Sequence, residues 1–188
     1  MYEEYSIEEY WKIAELDPGH KYEYVDGHIR MMTGGSPAHG QIALQIGSLL
    51  NAALHESKCN VYGSDVAVQI TEKRCYFPDV SVSCNPADWT QTKALEYPTL
   101  VVEVLSPGTE RIDRIEKLQA YQRLAVIQEI IYIDSRKRYV EHYHRIGAYD
   151  WKLSIYTHND DVLELSNIDV RFTVHDIYFK VHLIDDER

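Results

Sequence analysis

The chain has 188 residues, 45% of them hydrophobic and 26% charged, and a formal net charge of −11. That length suits one domain able to bury roughly 70% of its unfolded surface without staples, and the acidic balance weighs against indiscriminate nucleic-acid binding. The three cysteines, Cys59, Cys75 and Cys84, form no CxxC pair and leave one unmatched, which argues for a reducing compartment and against a structural zinc site.

Ser6-Ile7-Glu8-Glu9 reads as a capping box, with a Ser N-cap and a Glu three residues on satisfying two orphaned donors. It opens a short helix that Asp17-Pro18-Gly19 stops near Leu16. KYEYVDGHIRMM reads as a hairpin, with Asp26-Gly27 supplying the positive φ of a tight turn. Ser36-Pro37 opens a helix in which Ile42, Ile46, Leu49, Leu50, Ala53 and Leu54 recur at helical spacing. VYGSDVAVQI and YFPDVSVSC both alternate like strands. TLVVEVL is a further strand, broken by Pro107-Gly108, and a helix is expected from about Glu110 to Ala125. EIIYID and RYVEHYHR form a strand pair about Ser135-Arg136-Lys137, and WKLSIYT and VLELSNIDVRF are short strands before a closing helical turn in VHDIYFKV. No internal repeat, low-complexity tract or linker interrupts the chain, so one α/β domain is the reading.

No apolar run approaches the roughly 18 residues of a membrane span, and the N-terminal MYEEYSIEEY is acidic, unlike a signal peptide. A cytoplasmic location follows as the expectation. Acid is concentrated in the first seventeen residues and in DVLELSNIDV and LIDDER, whereas residues 111–145 carry a local excess of three positive charges. That leaves room for a locally basic face. The fifteen tyrosines suit strands and interfaces alike.

The chemistry centres on Glu103, a carboxylate inside an apolar strand, where an unpaired charge costs several kcal/mol. Placed on a helix at about 100° per residue, Ala120, Leu124, Tyr121, Ala125, Leu118, Ile115 and Val126 share an apolar arc that also takes in Lys117. Asp113 lies beside Lys117, one turn earlier. An intrahelical ion pair at the rim is the plain reading of those two residues. Asp79 alters it. It follows Pro78 and interrupts the strand before Glu103, and two carboxylates brought together repel unless a cation joins them. With only oxygen ligands on offer that cation is hard, Mg²⁺ or Mn²⁺. Two acids, a lysine and a hard cation are equipment for metal-assisted hydrolysis of a phosphodiester.

Pro78-Asp79 followed by Glu103 in VVEVLSP resembles the PD-(D/E)xK nuclease signature, whose lysine normally lies two residues after the acid. Leu105 stands there instead. The Uma2 family of restriction-endonuclease-like proteins shares this departure, with its lysine on the following helix, and the chain resembles it in an ordered set of motifs. These are Tyr22-Glu23 before Asp26-Gly27, Pro37-Ala38-His39-Gly40, Glu103 to Pro107, Asp113, Lys117-Leu118, Tyr121 and the strand at 126–134. The resemblance implies a restriction-endonuclease-like α/β core with a mixed central β-sheet flanked by helices, and a Mg²⁺-dependent endonuclease acting on DNA. By the same resemblance Asp79 and Glu103 are metal ligands, joined by the backbone carbonyl of Val104. Glu23 is a supporting acid that reaches the metal directly or through water, Lys117 positions the attacking water, and Asp113 orients Lys117. Nucleases of this fold commonly cut duplexes as dimers, so a homodimer is an expectation by analogy. A catalytically inactive module that keeps the fold for binding is the alternative.

Other residues carry competing readings. Glu23 lies on a strand that could simply expose it, and His39 could cap or pack at a helix start. Gln69, on a strand with Asp65, could reach the cleft. Tyr121 reads as core, and His142 and His144 read as surface residues.

Overall fold

The computed structural model describes residues 4–32, 34–108 and 110–183. Helix α1 spans Ile7–Leu16 and starts at the expected box, with the Ser6 N–H donating to Glu9 Oε2 at 2.7 Å and the Glu9 N–H to Ser6 Oγ at 3.2 Å. Strands β1 (Tyr22–Val25) and β2 (His28–Met31) meet at Asp26-Gly27, whose φ values of 48° and 88° fit a two-residue hairpin turn. Helix α2 (Pro37–Ala53) is capped by Ser36, which accepts the His39 N–H at 3.2 Å, and it buries Ile42, Ile46 and Leu50.

The two strand candidates that follow are four strands: β3 (Asn60–Gly63), β4 (Ala67–Thr71), β5 (Arg74–Tyr76) and β6 (Val80–Ser83). The chain changes sheet at Ser64-Asp65-Val66 and again at Phe77-Pro78-Asp79, where proline has no N–H to give a ladder. A 3-10 turn at Pro86–Thr90 and the short β7 (Ala94–Leu95) lead to β8 (Leu100–Leu105). The helical crossover comprises α3 (Glu110–Ile112), a π-helical turn (Asp113–Lys117) and α4 (Leu118–Arg123). Then come β9 (Glu129–Asp134), β10 (Val140–Arg145), β11 (Trp151–Tyr156), β12 (Val162–Leu165), β13 (Val170–Thr173) and α5 (Val174–Ile177).

A six-stranded sheet, β11-β10-β9-β8-β6-β3, forms the centre; β8 and β9 are parallel and its other pairs antiparallel. One face buries Leu100, Val102, Val104, Ile131 and Ile133 against α2, α5 and the β12–β13 hairpin. The other buries Val101, Leu105, Ile130 and Tyr132 against α4 and a second sheet of order β2-β1-β5-β4-β7. Because β8 is covered on both faces it reads as a continuous apolar run rather than an alternating one. Each of its buried Leu and Val side chains is worth roughly 1.5–3 kcal/mol. Glu103 sits in the middle of that run, facing the second sheet.

Three expectations change. The helix after Pro107-Gly108 is not uniform: the Leu118 N–H donates to the Asp113 carbonyl, five residues back. Within the wider turn Ile115 is 55% exposed rather than in the apolar arc, and Ala125 lies beyond the helix and is exposed. Second, Cys59 and Cys84 are joined in a disulfide, because the register Asn60↔Ser83 sets the next residue of each strand opposite, with Cα atoms 3.9 Å apart. That pairing removes the cysteine argument for a reducing compartment. Third, part of the basic segment's charge is taken up in ion pairs, while Arg111, Arg123 and Lys137 stay exposed. Arg114 meets Glu141 at 2.6 Å and Glu110 at 2.9 Å, and Arg136 meets Asp134 at 2.7 Å and Glu110 at 2.8 Å. The acidic tail at 184–188 lies outside the described residues. Among the described residues no helix is long and apolar enough to cross a membrane.

Candidate active site

The start of β6, the middle of β8, the π turn and the β1–β2 hairpin converge beside an open cleft of about 710 Å³. Asp79 stands just before β6. The antiparallel pair Val80↔Val102 brings it alongside Glu103 and Val104, and its Oδ2 accepts the Val104 N–H at 2.6 Å. The side chain thus continues the ladder where the strand has ended. His39, in the first turn of α2, places Nε2 3.3 Å from the same oxygen. That bond to Asp79 raises the His39 pKa against the opposing effect of burial, with the charges of Asp79 and Asp113 adding to it. Gly35 leaves room for the ring, since a Cβ there would fall 2.6 Å from His39 Nδ1.

Glu103 is buried, and its Oε1 accepts from Lys117 Nζ at 3.0 Å and from Tyr121 Oη at 2.6 Å. Both bonds land on one oxygen, so they leave the second uncommitted. Lys117, equally buried, also lies 2.9 Å from Glu23 Oε1 and 3.3 Å from Asp113 Oδ1. Burial alone would lower the Lys117 pKa. The charges of Glu103, Glu23 and Asp113 outweigh it and hold the ammonium well above its ordinary value. Glu103 is pushed well up, by burial first and then by the acids at Asp113 and Asp79, against the pull of Lys117. Glu23 ends below its ordinary value, because Lys117 and Arg30 together overcome its burial.

The lysine's placement depends on the π turn, which sets Asp113 and Lys117 side by side on the inner face. Tyr132 Oη donates to the Asp113 carbonyl at 2.7 Å, so the central sheet holds the widened turn from below. Arg30 extends the network outward, reaching Glu23 Oε2 at 2.6 Å and Glu116 Oε1 at 3.1 Å, while Tyr76 Oη donates to Glu116 at 3.2 Å.

The structure therefore brings together Asp79, Glu103, Asp113, Lys117 and Glu23. Glu23 is not the exposed strand residue of the plainer reading, Lys117 is not at the rim, His39 joins the group, and Tyr121 touches Glu103 as well as the core. Asp65 does not join: it is in the turn after β3, 2.6 Å from Lys21. Gln69 is opposite Cys75 on β4 and does not line this cleft. His142 and His144 are not free surface residues. His142 is buried, and both contact Glu129 on the other face of the sheet.

Sequence reasoning passed over Arg30 and Glu116. The first was legible: a two-residue turn at Asp26-Gly27 pairs Val25 with His28 and hence Glu23 with Arg30. Glu116 carried no comparable local signal.

The donor set suits a hard cation. Asp79, Glu103, Glu23, Asp113 and the Val104 backbone offer oxygen only, and three of the carboxylates crowd one lysine, with Glu103 left at raised proton affinity by its burial and the acids at Asp113 and Asp79.

The chain belongs to the Uma2 family: the family profile, described as "Putative restriction endonuclease", matches residues 2–174. An uncharacterized protein of Synechocystis, slr1290, is 38% identical over 176 residues, covering 92% of this chain and 90% of its own length. A second Synechocystis protein, the uncharacterized sll1609, is 30% identical over 137 residues, covering 71% of this chain and 77% of its own. In fold, the chain is similar to a crystal structure of "a putative nuclease belonging to DUF820" from Anabaena variabilis. The TM-score is 0.75 at 16% identity, over 92% of this chain and 97% of that one. The fold is restriction-endonuclease-like, as the sequence motifs implied.

Proposed function

We propose that this protein is a divalent-metal-dependent endonuclease that hydrolyses phosphodiester bonds of DNA, using Mg²⁺ with Mn²⁺ as a substitute. The observation that carries this reading is Lys117. It is buried 3.0 Å from Glu103 and 3.3 Å from Asp113, on the helical crossover where the family's displaced lysine is expected.

Asp79 and Glu103 would hold the cation with the Val104 carbonyl, and Glu23 would support it directly or through water. When bound, such a cation supplies Lewis-acid stabilisation of phosphate charge and acidifies water. The chain's own residues do the remainder. Lys117 donates a hydrogen bond to Glu103 and lies at ion-pair distance from Glu23 and Asp113 on the inner face of the cleft. Its remaining N–H groups would orient a water and stabilise negative charge on the phosphoryl oxygens. Asp113 aims the ammonium. Tyr121 fixes the Glu103 rotamer through Oε1, and His39 and the Val104 N–H fix Asp79. Cutting both strands of a duplex would use two copies of this single-lysine site, hence a homodimer.

A second reading is a binding module that keeps the fold without catalysis. It is favoured by the three carboxylates that surround Lys117 and by the net charge of −11. Calorimetric titration with Mg²⁺ and Mn²⁺, run alongside nicking of supercoiled plasmid, separates the two. For the nuclease, the wild type binds metal and nicks DNA, Asp79→Ala with Glu103→Ala binds none, and Lys117→Ala binds metal without nicking. Metal binding without cleavage of DNA or RNA supports the module. Absence of any Mg²⁺ or Mn²⁺ binding sinks the metal assignment.

A further inference from the structure

Glu129, His142 and His144 form a second cluster, on the opposite face of the central sheet from Lys117. In the antiparallel β9–β10 register His144 stands across from Glu129 and His142 across from Ile131. Both imidazoles therefore project from the face that carries Ile131, Ile133 and Val140. Glu129 is fully enclosed, at 0% exposure, and among the described residues the ion pairs it makes are with these two rings. A buried carboxylate with no lysine or arginine beside it needs another source of positive charge.

The two carboxylate oxygens are used differently. Oε1 accepts the Asn167 N–H at 3.2 Å, from the turn between β12 and β13. Oε2 faces two ring nitrogens at once: His142 Nε2 in a short contact, and His144 Nδ1 at 3.1 Å. As hydrogen bonds alone, this arrangement requires a hydrogen on each nitrogen and good geometry at both. His144 Nδ1 is sealed from water yet makes no hydrogen bond. Two ring nitrogens and one carboxylate oxygen lie within 4.8 Å of one another, a donor set of mixed nitrogen and oxygen.

We propose that Glu129, His142 and His144 constitute a transition-metal site, for a borderline divalent cation of the zinc type, distinct from the all-oxygen cleft. Two histidines and a glutamate are a three-ligand set for zinc that leaves a fourth position for water, and imidazole selects against Mg²⁺. His144, 32% exposed, provides the way in from solvent. The Asn167 N–H holds the carboxylate from behind, as outer-sphere partners of ligating groups do. The site would cross-link β9 and β10, with the Asn167 N–H attaching the β12–β13 hairpin to the ligating carboxylate, so bound metal should stabilise this part of the fold.

The test is a Zn²⁺ titration of chelator-treated protein by calorimetry, with thermal unfolding followed with and without the ion. The visible spectrum of the Co²⁺-substituted protein reports the ligand set. The wild type and the Asp79→Ala, Glu103→Ala double variant are both expected to bind one equivalent at this site and to gain thermal stability. Intense d–d absorption should indicate four- or five-coordinate Co²⁺. In His144→Ala, whose side chain is partly exposed, affinity should fall at least 100-fold and the stabilisation should vanish. His144→Gln repeats the measurement if the alanine variant does not fold. The proposal is overturned by a wild type that binds no Zn²⁺, by binding that survives the loss of His144, or by binding that disappears in the carboxylate double variant alone.

Discussion

Without Lys117, the carboxylates of Glu23, Glu103 and Asp113 would face one another inside a nearly dry enclosure. Removing one partner of a buried ion cluster leaves uncompensated charge and costs about 3–5 kcal/mol, which the apolar stem of a methionine would not recover. Lys117→Met is therefore expected to lose that much stability in urea unfolding as well as DNA nicking. A variant as stable as the wild type would mean that something other than the ammonium offsets these acids. Tyr121 is a milder case. Its ring packs edge-on against Tyr76 at 5.8 Å, and only its hydroxyl touches Glu103. Tyr121→Phe keeps the packing and removes one hydrogen bond to a charged acceptor, so a loss of about 1.5–3 kcal/mol is expected by the same unfolding measurement.

At the scale of elements, the π turn is what decides where Lys117 points. Ile115 is exposed within it, so deleting that one residue shortens the segment toward a regular α-helix at little cost in burial. The deletion is expected to keep the far-UV circular dichroism and abolish nicking, because Asp113 and Lys117 no longer stack four residues apart. Full activity would show that the widened turn is incidental. The end of β9 offers a pH test. Burial pushes the Asp134 carboxyl up, but the Arg136 guanidinium and backbone N–H outweigh it and leave its pKa below the ordinary 3.8. A carboxylate with a depressed folded pKa contributes stability that is present above its unfolded value and lost as pH falls through the folded one. Arg136→Gln should thus be less stable than wild type near neutrality, with the gap between their urea midpoints closing as pH drops below 3.8.

On the scale of the whole molecule, the cleft is assembled from both sheets. Glu23 and Arg30 arrive on the second sheet, Asp79 and Glu103 on the central one, and Lys117 on the crossover between β8 and β9. The Cys59–Cys84 bond clamps the edge of the central sheet and closes a 25-residue separation, for which chain entropy suggests a contribution of about 3 kcal/mol. Cys75 is buried, with its thiol pushed up to about 12 by burial. Native oxidised protein should accordingly give no rapid thiol titre, and reduction should expose two reactive thiols, Cys59 and Cys84, while lowering the unfolding midpoint. A native titre already showing those thiols would mean that the bond does not form in solution.

Much of this was written locally. The capping box at Ser6, the turn at Asp26-Gly27, the Ser36 cap and the six-residue apolar run around Glu103 each depend on neighbours in sequence, and each held its place. The charge imbalance at Glu103, together with the order of motifs from Tyr22 to Tyr121, was enough to mark the site and its family. What lay beyond reach was set by contacts between distant segments. The sheet switch at Pro78 depends on which strand is free to pair with Val80. The disulfide follows from the β3–β6 register, and the π turn from the Tyr132 hydroxyl waiting beneath the Asp113 carbonyl. The histidine cluster arises because β9 folds back beside β10 and seats Glu129 opposite His144. Spacing along a chain dictates periodicity and turns. Which buried charges finally meet is decided by strand order and register, which depend on the free energy of the whole packed core.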